Sequence, residues 1–212
     1  MQPLLEGGVY RPGPGGTTTC VVADRWGNLV AATPSCNVFG VKGDGGVTGV
    51  THGNRLRCLN TTAGHSNCIQ PGKRPCITLT PTIVLQEGRP VLGISVAGGD
   101  LQDQTTLNIF LNWLTFGMLP EQAVTAPRFA TQHHQNSFDP HPDRRASFLE
   151  AGSLIVNQGI DAQVREELAR RGHQLTVRER QIANPVMVYL DRESEIIYAA
   201  GDPMAKRHAA GL

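Results

Sequence analysis

Thr17, Thr18 and Thr19 directly follow the run Gly13-Pro14-Gly15-Gly16 and open the stretch TTTCVVADRWGNLVAATPS. A threonine hydroxyl is a weak nucleophile until a base takes its proton. A free α-amino group, with a pKa near ~7.7–8.0, can be that base at neutral pH. Only a chain-terminal threonine has such an amine beside its own hydroxyl, so this chemistry requires the preceding bond to be cut. The glycine-rich lead gives the backbone the freedom such a cut needs. The same residues have a structural reading, because threonine is β-branched and favours strands. On composition alone both readings stand.

A second candidate is Gly98-Gly99-Asp100, which closes an apolar run. Backbone N–H groups at a helix start can stabilise a developing oxyanion. Two glycines can equally relieve a tight strand-to-helix turn. Lys73 and Arg74, in PGKRPCITLTPTIV, either line a site or form a solvated basic turn between prolines. The segment APRF, Ala126–Phe129, reads as a helix stop, and Arg144-Arg145 as surface charge. The seven histidines are scattered, and the one close pair, His133-His134, points to two different sides, so packing or surface roles fit them better than metal ligation. The five cysteines (Cys20, Cys36, Cys58, Cys68, Cys76) are odd in number and have no C-x-x-C spacing. They read as free thiols, which fits a reducing compartment.

Residues 1–16 read as a linker or tail, without the basic and apolar regions of a signal peptide. Residues 17–212 read as one domain. Thr17–Ala23 and Leu29–Thr33 are expected strands around the turn DRWGN. Phe39 through Cys76 reads as loop. Thr82–Gln86 and Val91–Ala97 form a second hairpin, followed by a helix with Asp100 as N-cap. Leu107, Phe110, Leu111 and Leu114 mark one face of that helix. Short helices are expected at Glu121–Thr125 and within IDAQVREELARRG, and a last hairpin over Pro185–Leu190 and Ile196–Ala200. Hairpins first and last with helices between imply an antiparallel α+β architecture.

In bulk, 212 residues with 40% hydrophobic and 17% charged residues describe a globular chain, not a disordered one. A net charge of +1 gives no sign of a nucleic-acid partner. No apolar run approaches the roughly 20 residues of a membrane span.

Taken together, TTTCVVADRWGNLVAATPS, PGKRPCITLTPTIV, AGGDLQDQTTLNIFLN, EQAVTAPRF and GDP with a terminal AAGL resemble the small catalytic subunit region of gamma-glutamyltransferases, in particular their gamma-glutamyltransferase-like relatives. The pieces occur in the family's order and span nearly all of Thr17–Leu212. The resemblance implies the N-terminal-nucleophile (Ntn) hydrolase αββα sandwich and a precursor that cuts itself before a threonine. It implies Thr17 as the nucleophile, Gly16–Thr17 as the cleavage site, and Gly98 and Gly99 as the oxyanion hole. It places supporting or substrate roles at Thr33, Ser35, Asn37 and Thr78. It implies no metal or organic cofactor, a gamma-glutamyl-type substrate such as glutathione, and a large-subunit portion as partner.

Two departures stand out. Arg55 and Cys58 lie where many family members carry acceptors for the glutamyl amino group, and Cys76, Ile77 and Thr78 replace a serine pair. Arginine has no acceptor and repels an ammonium, but it can hold a carboxylate. The expectation is therefore weak activity on glutathione and better activity on an acyl donor with a second carboxylate and no amine, such as a glutaryl amide. Three readings remain open from sequence: gamma-glutamyl acyl transfer or hydrolysis, an amidase for another carboxylate-bearing amide, and a non-catalytic assembly module.

Overall fold

A computed structural model describes residues 16–35, 47, 55–138, 141–143, 145–148 and 150–211. Its centre is a four-stranded antiparallel sheet in the order β3-β4-β8-β9. These strands are β3 (Thr82–Gln86), β4 (Arg89–Ala97), β8 (Asn184–Asp191) and β9 (Ile196–Gly201). A hairpin of β1 (Cys20–Ala23) and β2 (Leu29–Ala32) packs on one face. On the other face lie α1 (Gln102–Leu114) and α2 (Pro120–Thr125).

β4 explains the layering. Its side chains alternate between the two faces, and both faces are covered, so Val91 through Ala97 is buried without interruption. Leu92, Ile94 and Val96 join Ile109, Ala123, Val124 and Met187 in the main core under the helices. Gly93 and Ser95 face the hairpin instead. A Cβ on Gly93 would stand 2.7 Å from Val21 Cγ1, so only glycine lets β1–β2 approach this closely. The hairpin turn is fastened by Asp24, whose carboxylate accepts from the Trp26 and Asn28 N–H groups, each at 2.9 Å. The Asn28 carboxamide, first among these bonds, holds that carboxyl below its ordinary pKa.

Most expected elements are present, with three corrections. Thr17–Thr19 lie ahead of β1, and Thr17 pairs with Ser35 through an isolated bridge. Asp100 does not cap α1: it lies in a one-turn 3-10 segment, Gly99–Leu101, and Leu101 takes the cap position. The Asp100 carboxylate accepts the Ser137 N–H at 3.1 Å instead. Finally, a third sheet, β5 (Phe129–Ala130), β6 (Ser153–Asn157) and β7 (Gln174–Arg178), contains a parallel pair. α3 (Ala162–Arg170) connects β6 to β7, the kind of crossover that parallel strands require.

The helical periodicity of α1 also has an unexpected outcome. The residues it buries are Gln102, Thr105, Thr106 and Ile109. Leu107, Leu111 and Leu114 are 56%, 39% and 58% exposed. Phe110, the fourth residue of the expected face, packs against the main core, while the three leucines point away from this chain's own sheet.

Candidate functional site

The first cluster forms where the segments before β1 and after β2 run side by side. The Thr18 N–H donates to Pro34 O at 2.9 Å, which brings Thr17 opposite Ser35. The two hydroxyls, Thr17 Oγ1 and Ser35 Oγ, are 2.9 Å apart. Thr17 is half-buried, Thr18 exposed, and the Thr19 hydroxyl is shut from solvent with no hydrogen-bond partner. Of the three threonines, Thr17 is the one whose hydroxyl meets another hydroxyl among the described residues.

Thr33 ties this cluster to β4. Its Oγ1 lies 2.8 Å from Ser95 Oγ, and Ser95 in turn donates to Ala32 O at 2.8 Å. Serine has one hydroxyl proton, so Thr33 must be the donor in the first bond. Both residues are buried. The Thr33 hydroxyl therefore clasps β2 onto β4 rather than standing free. Strand rise is about 3.3 Å per residue, so this clasp keeps Ser35, two residues on, and Gly98, three residues beyond Ser95, in the same part of the molecule.

At the β4–α1 turn Gly99 has φ +61°, the left-handed region that glycine adopts freely. Gly98 is needed for space: a Cβ there would stand 2.6 Å from Ala183 Cβ. Their N–H groups open the 3-10 turn that leads into α1, where a donor has no intrahelical acceptor. Phe138 lies over the turn, its Cε2 3.3 Å from where a Gly99 Cβ would be.

The second cluster adjoins this turn. Arg55 opens a one-turn 3-10 helix, Arg55–Cys58, within the expected loop. Its guanidinium stacks over the Phe138 ring, 5.1 Å from the centroid, and Nη2 donates to Thr78 Oγ1 at 3.5 Å. Gln102, fully buried in the first turn of α1, fixes Thr78 from the other side. With its carboxamide nitrogen toward the two carbonyls, it donates to Val96 O at 2.9 Å and Thr78 O at 3.0 Å. Beside these residues is a cavity of about 360 Å³ whose lining includes Cys58, His65, Cys76, Ser137 and His141. Lys73 donates to Ser66 O at 2.6 Å and so shapes the loop that carries Cys76, while Arg74 is exposed. Asn37 lies outside the described residues.

The APRF segment does more than stop a helix. Arg128 is 3% exposed and donates to Ile182 O at 2.8 Å, Val124 O at 2.7 Å and the Asp202 carboxylate. Burial lowers its pKa, and Asp202 opposes that shift. This pair binds the end of β9 to the start of the third sheet.

The gamma-glutamyltranspeptidase family profile matches residues 4–212. The chain belongs to the gamma-glutamyltranspeptidase family. It is 29% identical over 199 residues to the glutathione hydrolase proenzyme of Bacillus subtilis (strain 168), covering 93% of this chain and 31% of that relative. It thus spans about a third of that relative's length. An acivicin-inhibited gamma-glutamyltranspeptidase crystal structure superimposes with a TM-score of 0.69 at 25% identity, covering 90% of this chain and 100% of that one. The structure of LmbA2991HD gives a TM-score of 0.79 at 32% identity over 97% of this chain and 36% of that one. The chain shares the Ntn-hydrolase fold of the gamma-glutamyltranspeptidase structure.

In this setting Ser35→Ala should lower turnover more than stability. Loss of one half-buried hydroxyl costs about 1 kcal/mol, so the melting temperature should move by only a few degrees. Paired thermal melts and kcat measurements check this. A large fall in melting temperature with normal kcat would give Ser35 a purely structural role.

Proposed function

We propose that this chain carries the catalytic centre of a self-processing acyltransferase or amide hydrolase with Thr17 as its nucleophile. Cleavage separates the stretch that ends at Gly16 from residues 17–212, the working domain. In processing, the Thr17 hydroxyl attacks the Gly16 carbonyl, the acyl group shifts from nitrogen to oxygen, and water releases it. The new α-amine of Thr17 then serves as its base. Ser35 orients the nucleophile, and the Gly98 and Gly99 N–H groups hold the oxyanion. Thr78 and Asn37 contact the acyl donor, a carboxylate-bearing amide with an acyl half of gamma-glutamyl length. Water or an amine resolves the threonyl ester, giving hydrolysis or transfer.

The observation that carries this reading is the 2.9 Å contact between Thr17 Oγ1 and Ser35 Oγ. The exposed leucine face of α1 supports a large-subunit portion as the partner that completes the sandwich. The test is turnover of gamma-glutamyl and other acyl anilides by the chain joined to that portion, with brief acid quenching. A catalytic chain releases aniline and retains an acyl group on the protein. No release and no adduct with any anilide would leave only the assembly-module reading.

A further inference from the structure

Arg55 has a feature that the proposed nucleophile chemistry does not use. Its Nη1 is closed off from solvent and has no hydrogen-bond partner among the described residues. Its Nη2 contact with Thr78, at 3.5 Å, is long for a hydrogen bond. A guanidinium has five N–H donors and no acceptor, and burying one unpaired is costly. Arg128 shows how this chain satisfies an arginine it buries for structure, with two carbonyls and a carboxylate. Among the described residues Arg55 has no such set.

Its position is fixed relative to the candidate reaction centre. Phe138 touches both the Arg55 guanidinium and Gly99. Thr78, the other neighbour, is anchored through Gln102 to the same helix start. Any donor whose reacting carbonyl sits at Gly98 and Gly99 therefore has this cation at a set distance from its carbonyl carbon. Two N–H donors on one edge of a guanidinium match a carboxylate, which they bind through two parallel hydrogen bonds. The same charge repels an ammonium.

Building on the proposed Thr17 chemistry, we propose that Arg55 is the carboxylate-binding arm of the acyl-donor pocket. The preferred donor is an amide whose acyl half ends in a carboxylate and has no ammonium, as in a glutaryl amide. Thr17 Oγ attacks the amide carbon as its proton passes to the α-amine. The C–N bond breaks, and the departing nitrogen takes that proton to leave as a neutral amine. Water then adds to the threonyl ester, returning the hydroxyl proton to Thr17 and releasing a dicarboxylate.

The experiment compares kcat/KM for glutaryl, gamma-glutamyl and butyryl anilides on the processed protein with its completing portion. Wild type should favour the glutaryl over the gamma-glutamyl compound at least about tenfold. Arg55→Gln should lower the glutaryl value about tenfold to a hundredfold, mainly through KM, and so collapse the glutaryl-to-butyryl ratio. Arg55→Lys should restore part of it. Preference for the gamma-glutamyl compound in wild type, or an equal fall on glutaryl and butyryl compounds in Arg55→Gln, overturns the proposal. Calorimetric titration of glutarate into wild type and Arg55→Gln separates this from the nucleophile reading, since binding needs no turnover. Binding lost in the variant supports the carboxylate arm even if Thr17→Ala proves active, a result that would sink the nucleophile alone. No binding to wild type, or equal binding to both, rejects the arm.

Discussion

Thr17→Ala should leave the Gly16–Thr17 bond whole and reduce acyl-transfer and hydrolysis rates by about 10⁴-fold or more, as loss of a nucleophile does elsewhere. Two separate steps fail together: no hydroxyl is available to attack the Gly16 carbonyl, and none to attack a donor. The fold should survive, because Thr17 is half-buried and its hydroxyl contacts only Ser35 among the described residues. Thr17→Ser keeps the hydroxyl and should both process and turn over, more slowly. Gel mobility, intact mass and initial rates on one preparation read all of this. Normal processing in Thr17→Ala would remove Thr17 from the mechanism.

The largest stability effect is expected at Asp202. Asp202→Ala leaves the Arg128 guanidinium buried without its carboxylate, and breaking such a pair by removing one partner costs about 3–5 kcal/mol. The same carboxylate accepts the Met204 N–H at 3.0 Å, so the turn after β9 loses its cap as well. In a chain of this size each kcal/mol moves the melting temperature by about 2–4 °C, so a fall near ~10 °C is expected. Asp202→Asn keeps the cap acceptor and should fall less. Melting temperatures of the three proteins check this, and a change under about 2 °C in Asp202→Ala would show that the pair contributes little.

The strands and hairpins were legible because their signals are local. Thr82–Gln86 reads as apolar β-branched residues beside a glycine turn, and β3 occupies that range. The third sheet was not legible: β6 holds only a three-residue apolar run, Leu154–Val156, and its parallel partner lies beyond an intervening helix. The α1 periodicity was correctly located, but sequence cannot say what covers a face, and Leu107, Leu111 and Leu114 turn outward. At the candidate site, Thr17, Ser35, Gly98 and Gly99 came from a resemblance spread over the chain. The supporting residues gave no such signal. Ser95 and Gln102 look like ordinary polar residues beside apolar runs, and only the fold shows each bonding across layers. Arg128 and Asp202 are 74 positions apart, so their pairing is invisible until β9 meets the segment after α2. Phe138 matters for what it touches, Arg55 and Gly99, neither of which is near it in sequence.

The central claim is that Thr17, freed as a chain terminus, forms the covalent intermediate. The most direct measurement is mass mapping after reaction of the processed protein with an electrophilic acyl-donor analogue. The expected result is one adduct, on the N-terminal peptide that begins at Thr17, absent in Thr17→Ala. An adduct on another residue, or a mature terminus anywhere other than Thr17, would contradict it.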